Sequence, residues 1–165
     1  MRLLRLTAVI AALALGVAAP TVVAGASSQT LVFSVRFATQ SRNVQQVGVG
    51  GAVSYGQLRF LGTTTINNQP VVAEFQSSVH YTKGSGPFTA WLTLTRPDGS
   101  KLGADVTGRT RARPDTTDAT FRGTLVVVGG TGSYEHARGT GSFTGSRKAA
   151  LGGSVDITFR IQLRT

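Results

Sequence analysis

Apolar and polar residues alternate with period two along nearly the whole chain after residue 26. Leu31, Phe33, Val35 and Phe37 interleave with Val32, Ser34 and Arg36. Val71, Ala73, Phe75, Val79 and Tyr81 share one side of another stretch, with Glu74, Gln76 and His80 on the other. The last stretch is the cleanest, with Val155, Ile157, Phe159, Ile161 and Leu163 set against Asp156, Thr158, Arg160 and Gln162. Neighbouring residues of a strand point to opposite faces, so each run predicts a strand with one buried side. Beyond residue 26 no segment spaces its apolar residues helically over three turns.

Turn chemistry divides the runs. Asn67-Asn68-Gln69-Pro70, Lys83-Gly84-Ser85-Gly86-Pro87, Arg96-Pro97-Asp98-Gly99 and Arg113-Pro114-Asp115 read as turns or short loops. Eight strands follow, at about 31–37, 54–66, 71–82, 88–95, 101–110, 119–128, 138–146 and 154–163. Short connections suit an antiparallel meander. With no helix to cover a sheet, closure into an eight-stranded barrel removes the free edges, and a β-sandwich is the alternative all-β fold. A barrel of that size has an interior just wide enough for side chains or one small ligand.

The ends and the charge set the context. Met1-Arg2-Leu3-Leu4-Arg5 is a basic start, Leu6 to Ala19 an uncharged apolar run, and Ala24-Gly25-Ala26 a small-x-small cleavage pattern. Residues 1–26 therefore read as a secretory signal peptide, and residues 27–165 as one barrel domain. The apolar run is short of the ~20 residues of a stable membrane span. The expected location is extracellular or in the cell envelope. The 165 residues include no cysteine, which excludes disulfides and thiolate chemistry. Removing Arg2 and Arg5 from 17 basic residues leaves 15 against 7 acidic ones, a net charge of +8. Arg109-Thr110-Arg111-Ala112-Arg113 puts three guanidinium groups on one strand face, with no interleaved aromatic residues to stack bases. Nucleic acid is thereby disfavoured. A solvated edge is the bland reading of the cluster, and an anionic cell-surface polymer is the partner class it suggests.

Val126 to Gly145 holds the densest glycine cluster, after the apolar, β-branched Thr124-Leu125-Val126-Val127-Val128. A phosphate-binding loop does not fit it. Taking Gly130 and Gly132 as the first glycines of G-x-G-x-x-G puts Glu135 at the third, and no Lys-Ser or Lys-Thr follows. Ala52-Val53-Ser54-Tyr55-Gly56 echoes a nucleophile elbow, but Ala replaces its first glycine and no α/β pattern surrounds it.

The stretch Val128-Gly129-Gly130-Thr131-Gly132-Ser133-Tyr134-Glu135-His136-Ala137-Arg138-Gly139 resembles the signature turn of the allene oxide cyclase and dirigent barrels. Ala137-Arg138-Gly139 follows the dirigent form, Glu135 the cyclase form, and Tyr134 stands where both usually carry Phe. Phe121-Arg122-Gly123-Thr124-Leu125 is similar to the dirigent strand before it, and the style is closest to exported bacterial members. The resemblance implies an eight-stranded barrel in which Gly129, Gly130, Gly132 and Gly139 build a corner. It implies a lumen for a small apolar molecule, a homotrimer, and no metal or other cofactor. It also implies an activity, if there is one, of cofactor-independent isomerase or cyclase type, steering ring closure or coupling by orientation. The cyclases' cysteine has no counterpart in this chain.

Five residues are candidates for ligand contact. Arg138 matches the dirigent turn and is in phase with Thr140 and Ser142; it either hydrogen-bonds a ligand carbonyl or carboxylate or pairs with Glu135. Glu135 matches the cyclase turn, with a salt bridge or capped amide as its structural role. Asp105, between Ala104 and Val106, is either a lumen acid or a surface residue. His80 shares a strand face with Glu74 and is either a general base or a satisfied surface residue. Trp91 lines the pocket, packs in the core or covers a subunit interface. Three functions stay open: a barrel binding a small apolar ligand, an isomerase or cyclase, and an envelope protein with a basic interaction surface and a filled lumen.

Overall fold

The computed structural model describes residues 28–164, so the signal peptide and its cleavage site lie outside the described residues. Eight strands are present: β1 Ser28–Val47, β2 Val53–Ile66, β3 Gln69–Thr82, β4 Gly86–Thr95, β5 Lys101–Ala112, β6 Asp118–Gly130, β7 Arg138–Lys148 and β8 Val155–Arg164. Each pairs antiparallel with the next, and β8 returns to β1, giving a closed barrel. Closure gives every strand a neighbour on both sides without helices, as expected.

The period-two pattern does the sorting. Leu31, Phe33, Val35 and Phe37 are buried while Val32, Ser34 and Arg36 face out, and β3 and β8 behave the same way. The middle of the lumen is packed. Phe75, Phe88, Phe143 and Phe159 form a closed ring of rings, with successive centroids 6.5, 6.0, 5.9 and 6.4 Å apart. Those separations are in the range where aromatic pairs attract beyond simple burial. Two inward-facing glycines make the space. A Cβ on Gly108 would stand 2.5 Å from Phe88 and 2.8 Å from Phe143, and one on Gly123 2.7 Å from Phe143.

One strand departs from expectation. β1 runs on to Val47, where only residues 31–37 carry the alternation. Its first part, to Phe37, pairs with β8; from Ala38 on it pairs with β2, with a bulge between Thr39 and Ser41. Most of residues 38–47 are exposed. With Val44 alone packed against the core, such a strand leaves no period-two signature.

The connections fall into two sets. Those after β1, β3, β5 and β7 lie at one end of the barrel. Those after β2, β4 and β6 lie at the other, together with Ser28 and Arg164. The glycine-rich turn closes this second end. After β6 the chain makes a short 3-10 turn, Gly132–Tyr134, and buries Tyr134 and Ala137. It docks on the β4–β5 turn: Thr131 N–H donates to the Lys101 carbonyl at 2.8 Å, and Ser133 N–H to Ser100 Oγ at 3.1 Å. Gly132 has φ +57°, and a Cβ there would meet Ser100 Oγ; a Cβ on Gly130 would be driven into the Lys101 carbonyl. Arg96 covers the ring of Tyr134 at 5.7 Å. The turn is a barrel corner and plug.

Candidate functional site

The end opposite the glycine-rich turn is where the chain leaves a space inside the barrel. There, above the phenylalanine ring, lies a cavity of about 30 Å³. Its walls are mostly apolar, including Leu58, Phe60, Phe121 and Leu151, but Tyr81, Ser77 and Arg147 also reach it. That volume accommodates one or two waters.

Three strands bring the polar groups together. Tyr81 is near the end of β3, Thr110 near the end of β5 and Arg147 near the end of β7, all at inward positions. Thr110 Oγ1 donates to the Tyr81 hydroxyl at 2.8 Å, which leaves the phenolic proton free to donate in turn. Burial pushes the Tyr81 pKa above its ordinary value, with the Thr110 hydrogen bond opposing, so it remains the neutral phenol at pH 7. Arg147 is only 7% exposed, and its Nε is buried with no hydrogen-bond partner. Removal from water pulls its pKa below the usual guanidinium value. Among the described residues the sole ion pair is Arg59–Glu74, on the outer face, so no carboxylate neutralises Arg147. The buried Nε is the guanidinium nitrogen left without a partner, and such an unsatisfied buried donor is costly.

A short loop covers the cavity. Residues 149–154, between β7 and β8, contribute Leu151 and Gly152 to its wall, whereas the other lining residues stand on strands. Thr39 Oγ1, at the bulge of β1, donates to the Gly152 carbonyl at 2.7 Å and latches the loop to the barrel.

The five candidates read from the sequence are elsewhere. Arg138, Glu135, Asp105, His80 and Trp91 are all exposed. Asp105 is opposite Trp91 in the register of β4 and β5, on the outer surface, so it is not a lumen acid. Trp91 is 53% exposed, on the same outer surface. His80 stacks edge-on against Tyr55 at 6.1 Å. Arg138 Nη1 donates to the Ala137 carbonyl at 2.9 Å, and neither enters the lumen nor pairs with Glu135. The turn motif lies at the opposite end of the barrel from this cavity. Arg147 was legible in principle, being a guanidinium in phase with the buried Phe143 of its own strand. An expected strand ending at residue 146 leaves it out.

No family model matches the chain, and no curated protein matches it. Solved structures do. The pterocarpan synthase dirigent protein GePTS1 is 15% identical, with a TM-score of 0.48, over 91% of this chain and 96% of that one. The pterocarpan synthase dirigent protein PsPTS1 is 14% identical, with a TM-score of 0.44, over 83% and 94%. The chain's own closed, eight-stranded antiparallel barrel is the architecture implied by its turn motif, which resembles those of the allene oxide cyclase and dirigent barrels.

Proposed function

We propose that this is an exported barrel that holds a small, partly apolar molecule at the mouth of its lumen and controls the conformation of that molecule. One observation carries the reading: hydrogen-bond donors from two strands, Tyr81 of β3 and Arg147 of β7, converge, buried, on an otherwise apolar cavity beneath a single loop, with Thr110 of β5 holding the Tyr81 hydroxyl from behind. Such a pairing of apolar walls with a few polar groups is the usual make-up of a ligand site. The phenylalanine ring bars deep entry, so the ligand sits above it. A ligand larger than one or two waters enters by displacing Leu151 and Gly152, and the loop then shuts over it. Any chemistry is catalysis by orientation in a site screened from water.

Native mass spectrometry of the protein purified from its own host tests this. The expected spectrum shows a small molecule bound in stoichiometric amount, lost in a Leu151→Trp variant whose indole fills the mouth. Bare polypeptide in the wild type, together with no thermal stabilisation by any of a panel of small apolar compounds, would overturn it. The same preparation, sequenced from its N-terminus, is expected to begin at or near Ser27.

A second reading concerns the outer surface. Arg109 and Arg122 stand directly opposite each other across β5 and β6, and a groove of about 490 Å³ is lined by these two and Arg111 without a carboxylate. Like charges so placed repel. We propose an anionic cell-surface polymer as what would relieve them. Binding to a polyphosphate that weakens steeply with salt, and is lost in Arg109→Ser/Arg122→Ser, is the expected result; unchanged binding by that variant would dismiss the idea.

A further inference from the structure

We infer that the molecule held at the mouth is a carboxylate, its head group bound by Arg147 and the Tyr81 hydroxyl. This rests on the mouth being a ligand site and adds the chemical class of the ligand. Both groups offer hydrogens. A guanidinium carries five N–H donors and no acceptor, and the Nε–H of Arg147 has no partner. The Tyr81 oxygen already accepts from Thr110, so its proton points to a further acceptor. A pocket whose polar groups are donors is complementary to an acceptor-only group.

Charge narrows the choice. None of the cavity's lining residues is acidic, so the ligand itself must supply the negative charge that would balance Arg147. The groove just outside repeats the sign: Arg111, Arg113 and Lys148 line it, and its one carboxylate, Asp118, stands opposite Lys148 in register. An anion is drawn toward such a mouth. Shape points the same way. A carboxylate is flat, has two oxygens, and meets the planar guanidinium fork in parallel hydrogen bonds. Its few atoms suit a void of about 30 Å³, with the apolar remainder lying against Leu58 and Leu151 once the loop has moved.

Calorimetric titration at pH 7 with octanoate and with 1-octanol, which share a chain and differ in the head group, is the test. The wild type should bind octanoate at least tenfold more tightly than octanol. Arg147→Met should bring octanoate down to the level of octanol, leave octanol unchanged, and raise the melting temperature of the free protein by removing an unpaired buried charge. Arg147→Lys, which keeps the charge but loses the fork, should retain part of the preference. Should the Met variant fail to fold, Tyr81→Phe replaces it, with a severalfold loss for octanoate and none for octanol expected. Equal binding of both probes by the wild type overturns the carboxylate assignment and leaves the mouth as a ligand site. No binding of either probe, with no bound mass on the native protein, overturns both. A lower melting temperature in a folded Arg147→Met protein also overturns the assignment, because it would make the guanidinium a structural group.

Discussion

At Gly132 the backbone adopts φ +57° and the space a side chain needs is occupied by Ser100. Both effects act against any Cβ, and a β-branched one adds its own stiffness. Gly132→Val should therefore destabilise the protein by ~1–3 kcal/mol or more, read as a lower urea midpoint at unchanged slope. Glu74 gives a residue-level prediction with a pH signature. The hydrogen bond from Arg59 comes first, then one from Gln76, and together they hold its carboxyl below the ordinary value. A carboxyl with a lowered folded-state pKa stabilises above its unfolded value of about 4.3, and that contribution disappears as pH falls through the folded value. Because the Arg59 side chain is half exposed, solvent screening limits the pair to about 1 kcal/mol at most. Glu74→Gln should cost up to that amount at pH 7 and nothing at about pH 2, measured by denaturant melts at both.

The strands show what period-two alternation can and cannot reveal. All eight are legible in it, because each carries at least one stretch with a wet face and a dry face. The polar second part of β1 is not, having only Val44 against the core, and it lengthens the strand well past residue 37. Inward glycines were silent for a different reason. A glycine within a strand marks close approach, but the sequence does not say of what. At Gly108 the answer is the pair Phe88 and Phe143, from strands far apart in the chain. Gly108→Ala should overpack this layer and cost ~1–3 kcal/mol. Phe143→Leu should recover part of that loss, so that the double variant is more stable than the two separate costs add up to. Strict additivity by calorimetry would show that the rings do not meet Gly108. The mouth was hidden for a related reason: Tyr81, Thr110 and Arg147 sit on three strands, and only closure of the ring makes them neighbours.

For the molecule as a whole, one outer patch lacks cover. Trp91, Val126 and Val128 lie on β4 and β6 at 53%, 52% and 50% exposure. β6 is apolar on both faces at Leu125–Val128, and such a strand calls for packing on the outside as well, with Asp105 between Val126 and Trp91 in the register. We propose that a second and third copy provide it, as the resemblance implies. Sedimentation at micromolar concentration should show a trimer, reduced to monomers by Val126→Asp; a monomeric wild type would refute it. The pairing of β1 with β8 has a different consequence, one of timing. Ser28 faces Arg164 across the seam that closes the ring, so the earliest described strand waits for the latest. Contacts so distant along the chain form slowly, because a long loop must be closed before they contribute anything. Until β8 arrives, the seven-stranded intermediate carries two open edges, on β1 and β7, each able to pair with another molecule. The vulnerable moment for this protein is therefore the last step of ring closure, when a single undocked strand separates a sealed barrel from an aggregating sheet.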